Sequence, residues 1–289
     1  MTNFLVSNEA GKAGAAFAAR VEDALNTAAP RIVELAAMPL PDEVTVRLVN
    51  PGALPVSTRV HFEVVGRRIA ETLETEEQRA TALKVAAEHG VAFGRFETLF
   101  WPLISAKAGF GATGVEVVVV PEMHKAARTS QRALVQTLGH ELVHVAQDKW
   151  WPGVLPLWAR QAVEVRLGLR ARADVLPVPQ VSEAHGMWVH RKLVAELGGV
   201  DDGFPGDPRP TLYVRFLRTL VKRLPMVPGP ALYLRGQKFM AALDEAGGPL
   251  LVASVFDGEA TIPTSAELDD PELWLTRHRA GVAANGTRP

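Results

Sequence analysis

Histidines at positions 140 and 144, with a glutamate at 141, form the pentapeptide HELVH. On a helix, residues four apart project from the same side, so two imidazoles at this spacing point at one locus. Two nitrogen donors make half of a tetrahedral zinc site, and the carboxylate beside the first can reach a metal-bound water without ligating the ion. Zinc held by three protein ligands, with its fourth position open, lowers the pKa of bound water to about 7 and polarises a substrate carbonyl. The pattern therefore predicts a zinc-dependent hydrolase with His140 and His144 as metal ligands and Glu141 as general base. In a chain with eight histidines, HExxH arises by chance with a probability on the order of one or two per cent.

A third ligand must come from elsewhere. The extension HExxHxxGxxH would need Gly at 147 and His at 150, where this chain has Gln147 and Trp150. A glutamate from a later helix is the remaining common solution, and two candidates follow the motif. Glu164, in WARQAVEVRLG, lies four residues after Arg160 and two before Arg166, so solvated partners are within reach. Glu183, in VSEAHGMWVH, stands among Val181, Met187 and Trp188, where a carboxylate is costly to bury without a partner. Glu183 is favoured and Glu164 is the reserve; His185 and His190 are further reserves.

Several segments together resemble an actinobacterial family of zincin-like, zinc-dependent metallopeptidases associated with biosynthesis of a deazaflavin coenzyme. The family's HExxH helix continues into a Gln, as HELVHVAQ does here, and a later helix carries Glu-Gly-His-Ala, which Glu183, Ala184, His185 and Gly186 match with the small residues exchanged. A Tyr-x-x-Gly-x-x-Phe segment is matched by Tyr233, Gly236 and Phe239, and the family's end by IPTSAELDDPELWLTR, residues 262–277. The resemblance covers about Val115 to Arg277, and the first hundred residues match poorly. It implies a gluzincin-type site, with Glu183 completing the metal centre. By similarity to gluzincin aminopeptidases, it also implies that Tyr233 stabilises the oxyanion.

The elements that must carry these residues are mostly helical. The spacing predicts a helix from about Glu9 to Met38, with Asn8 as cap and a break near Pro30, then a strand over Glu43 to Asn50. Helices over roughly 67–89 and 92–106 follow. A Gly-rich turn at 109–114 then leads into VEVVVV, a strand expected at a sheet edge where an extended substrate could pair. Ser130 is a suitable cap for the HELVH helix, which runs to about Lys149. The WWPGVLP stretch breaks it before helices over about 157–173 and from Pro179 onward. The expected fold class is α+β and predominantly helical: a zincin-like catalytic unit at 111–280, an N-terminal helical and strand portion at 1–110 packed on it, and a disordered tail at 281–289.

Composition sets outer bounds. The chain has 289 residues, 47% hydrophobic and 22% charged, with 31 basic against 32 acidic side chains and no cysteine. Any metal must then be held by nitrogen and oxygen donors, and Zn2+ is the expected cofactor. The near-zero net charge implies no whole-chain attraction to nucleic acid or membrane. With no basic n-region or signal-length apolar run at the start, a soluble, cytoplasmic protein acting on a peptide or other amide is expected. The alternative is a zincin-type fold kept for binding or scaffolding without turnover.

Overall fold

Helix α1 (Lys12–Ala36) lays a fully apolar stripe, Val21, Leu25, Ala28 and Ile32, against the helix that carries HELVH. In a computed structural model that describes residues 2–126, 128–198 and 230–285, with positions 212, 216 and 219 between the last two, this helix runs unbroken through Pro30. A proline inside a helix costs about 3 kcal/mol. Burying the Val21, Leu25 and Ile32 side chains contributes roughly 1.5–3 kcal/mol each, so packing outweighs the local break predicted at Pro30. Asn8 does not cap this helix. It ends a strand, and its side chain instead holds the turn that follows, accepting from the Ala10 N–H at 3.1 Å and donating to the Gly11 carbonyl at 2.8 Å.

Four strands form one mixed sheet in the order β1-β2-β4-β3: β1 (Asn3–Asn8), β2 (Glu43–Leu48), β3 (Ala106–Phe110) and β4 (Val115–Val119). β1 pairs with β2 and β2 with β4 in parallel, while β3 runs antiparallel to β4. β4, predicted as an edge strand, is therefore interior, and β3 takes the edge beside it. The helical run predicted to reach residue 106 ends at Phe100. The single helix predicted over 67–89 is two, α2 (Leu54–Glu71) and α3 (Glu76–Phe100). They part where Thr75 and Gln78 form a reciprocal capping box, which satisfies the exposed amides at the start of α3.

After the short α4 (Pro121–Ala126), α5 (Gln131–Trp150) is capped by Ser130, whose hydroxyl accepts from the Ala133 N–H at 3.2 Å. It is buried almost all round, with the sheet and α1 on one side and α7 (Val178–Glu196) on another. A Cβ at Gly139 would come within 2.6 Å of Leu193 and 3.4 Å of Ile32, so the residue before His140 is where α1, α5 and α7 meet. In the chain, α6 (Val154–Arg166) connects α5 to α7. The fully buried Gln161 on α6 accepts from the Leu176 N–H at 2.7 Å and pins the turn that sends the chain back along α5.

Helix α8 (Pro230–Ala253), kinked at Gly248, packs on α7, followed by α9 (Ser265–Asp269) and α10 (Pro271–Asn285). The 262–277 block has a local logic: Thr264 and Glu267 make a capping box, Arg277 bonds Glu267 at 2.7 Å, and Trp274 is buried and donates to the Thr261 carbonyl at 2.7 Å. Residues 234–256 are long and apolar enough, by length and composition, to cross a membrane. Within that segment Phe239, Met240, Leu243, Val252 and Phe256 belong to the same core as α1 and α5.

Candidate metal centre

The i, i+4 spacing on α5 does what the sequence requires: the Nε2 atoms of His140 and His144 lie 3.3 Å apart. α7 crosses this face and presents Glu183, Gly186 and His190, at i, i+3 and i+7, toward α5. The Glu183 carboxylate sits 3.4 Å from His140 Nε2 and 3.5 Å from His144 Nε2. Ligands about 2.0–2.1 Å from a tetrahedral ion are separated by about 3.3–3.4 Å. The three observed separations match that geometry, and the group could hold a metal ion. The Glu183 side chain is 43% exposed, so one corner of the cluster is open to solvent.

Charge in the cluster also favours a cation. Burial works against an ionised Glu183, but the neighbouring His144 and His140 outweigh it and hold the carboxyl down at about 2. Burial likewise works against a protonated His140, yet the hydrogen bond and charge of Glu183, the charge of Glu141 and the Gly186 carbonyl raise it to about 9. Negative charge at Glu183, and more weakly at Glu141, thus favours positive charge at this point.

Behind His144 lies a network that sequence reasoning missed. Gln147, fully buried one turn further along α5, presents its carbonyl Oε1 3.0 Å from His144 Nδ1 and accepts from the Ser182 hydroxyl at 2.7 Å. Its amide nitrogen donates to the Ser182 carbonyl at 3.1 Å and to His185 Nδ1 at 2.9 Å. A Gln147 carbonyl that accepts from Nδ1 would leave the Nε2 lone pair of His144 for a metal ion, the usual way an outer partner fixes a ligating tautomer. The sequence signal was present: a glutamine three residues after the second histidine of HELVH shares that histidine's helix face.

The other candidates fall elsewhere. Glu164 is bound by Arg160 at 2.7 Å and Arg170 at 2.6 Å, in a ring of charges closed by Glu259. Its carboxyl is lowered because those two guanidiniums outweigh its burial. His185 is buried, pushed down to about 3 by desolvation and by the His144 and His140 charges, and stacks on Trp188 behind the cluster. His190 lies against the Gln136 carbonyl with its ring 6.3 Å from that of His140, outside the three-ligand group. Glu141 is not one of the three donors; its Oε2 accepts from the Ala108 N–H at the sheet edge at 2.7 Å. The side chain of Tyr233 lies outside the described residues. Gly236, three residues on, brings α8 against Ala184, next to Glu183.

Gly186 carries a testable constraint. A Cβ there would come within 2.7 Å of His140 Cε1 and 3.1 Å of its Nδ1. Gly186→Ala should displace the His140 ring and weaken zinc binding by about tenfold to a hundredfold, judged against what lost supporting contacts cost metal sites. The fold should hold, since alanine favours a helix by about 1 kcal/mol over glycine. Competition with a chromogenic chelator and a melting curve read the two effects separately; unchanged affinity would detach Gly186 from the site.

No protein-family model matches this sequence, and no curated protein matches it either. Among solved structures, the chain is similar over 90% of its length, and 89% of the other chain, to a protein described as "a putative hydrolase with a novel fold from Chloroflexus aurantiacus". The identity is 15% and the TM-score 0.56, so the two share a fold.

Proposed function

We propose that this protein is a zinc-dependent, metallopeptidase-like hydrolase that cleaves a peptide or other amide bond, with a zincin-like arrangement of α5 beside the sheet. The observation that carries the reading is the trio of 3.3–3.5 Å separations among His140, His144 and Glu183, with the Glu141 carboxylate one residue along the helix from His140. The description of the structural neighbour as a hydrolase points the same way.

In this reading His140, His144 and Glu183 hold Zn2+, which when bound supplies an activated water and polarises the scissile carbonyl. Glu141 would serve as the proton acceptor for water activated there and as the donor to the departing amine. It begins from its bond to the Ala108 N–H, which anchors the carboxylate at the sheet edge. Gln147 and Ser182 hold His144 in the ligating tautomer. Tyr233, by the family resemblance, would stabilise the developing oxyanion.

A peptide and acyl-amide library incubated with zinc-loaded protein should yield cleavage that a chelator abolishes and added zinc restores. In the same assay Tyr233→Phe should lower kcat by roughly tenfold to a thousandfold, with a smaller change in KM, as for a contact made mainly in the transition state. Cleavage that survives complete zinc removal would reject the reading.

A further inference from the structure

The ladder between β3 and β4 settles which backbone groups of β3 look outward. Gly111 donates to Gly114 and Val120 to Ser105 at the two ends, and Ala108 and Phe110 stand opposite Val117 and Val115. In an antiparallel pair these alternate positions turn their N–H groups away from the partner strand, toward the free edge. Both are occupied. The Ala108 N–H donates to Glu141 at 2.7 Å, and the Phe110 N–H donates to Nδ1 of His61, on α2, at 2.8 Å. The His61 ring stacks on Phe110, with centroids 5.6 Å apart and planes within 12°, and a Cβ at Gly109 would come 3.0 Å from His61 Nδ1. Desolvation, helped by the nearby Lys107 charge, pushes the His61 imidazole down to about 4 and keeps it an uncharged acceptor.

The helices behind His61 are firmly seated. Lys107 on β3 bonds Glu97 of α3 at 2.6 Å and also Thr58 of α2, and Glu97 and Thr58 are buried and bonded to each other. The Arg68 guanidinium of α2 lies 4.1 Å over the Phe110 ring. On the far side Trp158 of α6 meets Phe62 and His89 edge-on at 5.7 and 5.3 Å. Strand addition needs a row of free edge groups. Here an added strand would have to displace both the general base and His61.

We propose that the α2–α3 pair walls off the outer edge of β3, so that the metal site takes a short or compact amide rather than an extended polypeptide added as a fifth strand. The proposal rests on the metal-site reading for where substrate lies. The test titrates zinc-loaded protein with acetohydroxamate and with N-acetyl-alanine peptide hydroxamates of one to five residues, and follows hydrogen exchange at the Phe110 amide. Affinity should stay within about threefold along the series, and the Phe110 amide should be protected without ligand and unchanged by the longest one. In His61→Ala the dependence on length should appear. A gain of about tenfold or more with length in the unmodified protein, or rapid Phe110 exchange before any ligand is added, would overturn the wall while leaving the metal site intact. Failure to take up zinc would reject the metal site alone, and exchange at Phe110 in the metal-free protein would still decide the wall.

Discussion

Glu183→Ala is expected to lower zinc affinity by about a thousandfold or more, because it removes one of three donors, a larger loss than the tenfold to hundredfold typical of outer contacts. Glu164→Ala is the matched control. Its carboxylate is held by Arg160 and Arg170 and takes no part in the histidine cluster, so zinc affinity should be nearly unchanged. What that variant should lose is stability, about 1–2 kcal/mol, since it leaves the half-buried Arg170 with one carboxylate partner fewer. Chelator competition and thermal melting on the two variants give opposite patterns. If Glu164→Ala releases zinc and Glu183→Ala does not, the third ligand is misassigned.

Glu141→Gln is the second large effect. Glutamine keeps the size of the side chain but cannot take a proton, so hydrolysis should fall by roughly a hundredfold to ten-thousandfold. Zinc content should not change, because Glu141 is not one of the three donors. The same step separates the enzyme reading from a zincin-type scaffold: a protein that only binds would be indifferent to this substitution. Equal turnover in mutant and unmodified protein would remove Glu141 from the chemistry.

The parts of this site legible in the sequence are those set by short-range geometry or by the cost of burying charge. HELVH reads directly as two imidazoles on one helix face, and Glu183 stands out because an anion among Val181 and Trp188 needs a cation. Glu164 does bond Arg160, as its spacing suggests, but its second partner is Arg170 across a turn rather than Arg166, and it is largely buried, neither of which spacing alone reveals. The sheet was harder. β3, AKAGF, has neither β-branched residues nor a clear alternation, so its edge position, and the displacement of β4 inward, follow only from pairing. The helix passes through Pro30 because a local breaking preference of a few kcal/mol is small beside a fully buried helix face. Gln147 was visible as a residue but not as a role, since its partners Ser182 and His185 lie 35 and 38 positions away.

The most direct test of the central claim is the metal content of the chain itself. Protein purified without chelator, or stripped and then dialysed against zinc, should carry about one zinc per chain by elemental analysis, with X-ray absorption showing two nitrogen donors and a carboxylate oxygen at about 2.0–2.2 Å. A chain that takes up no zinc in either preparation would contradict the account.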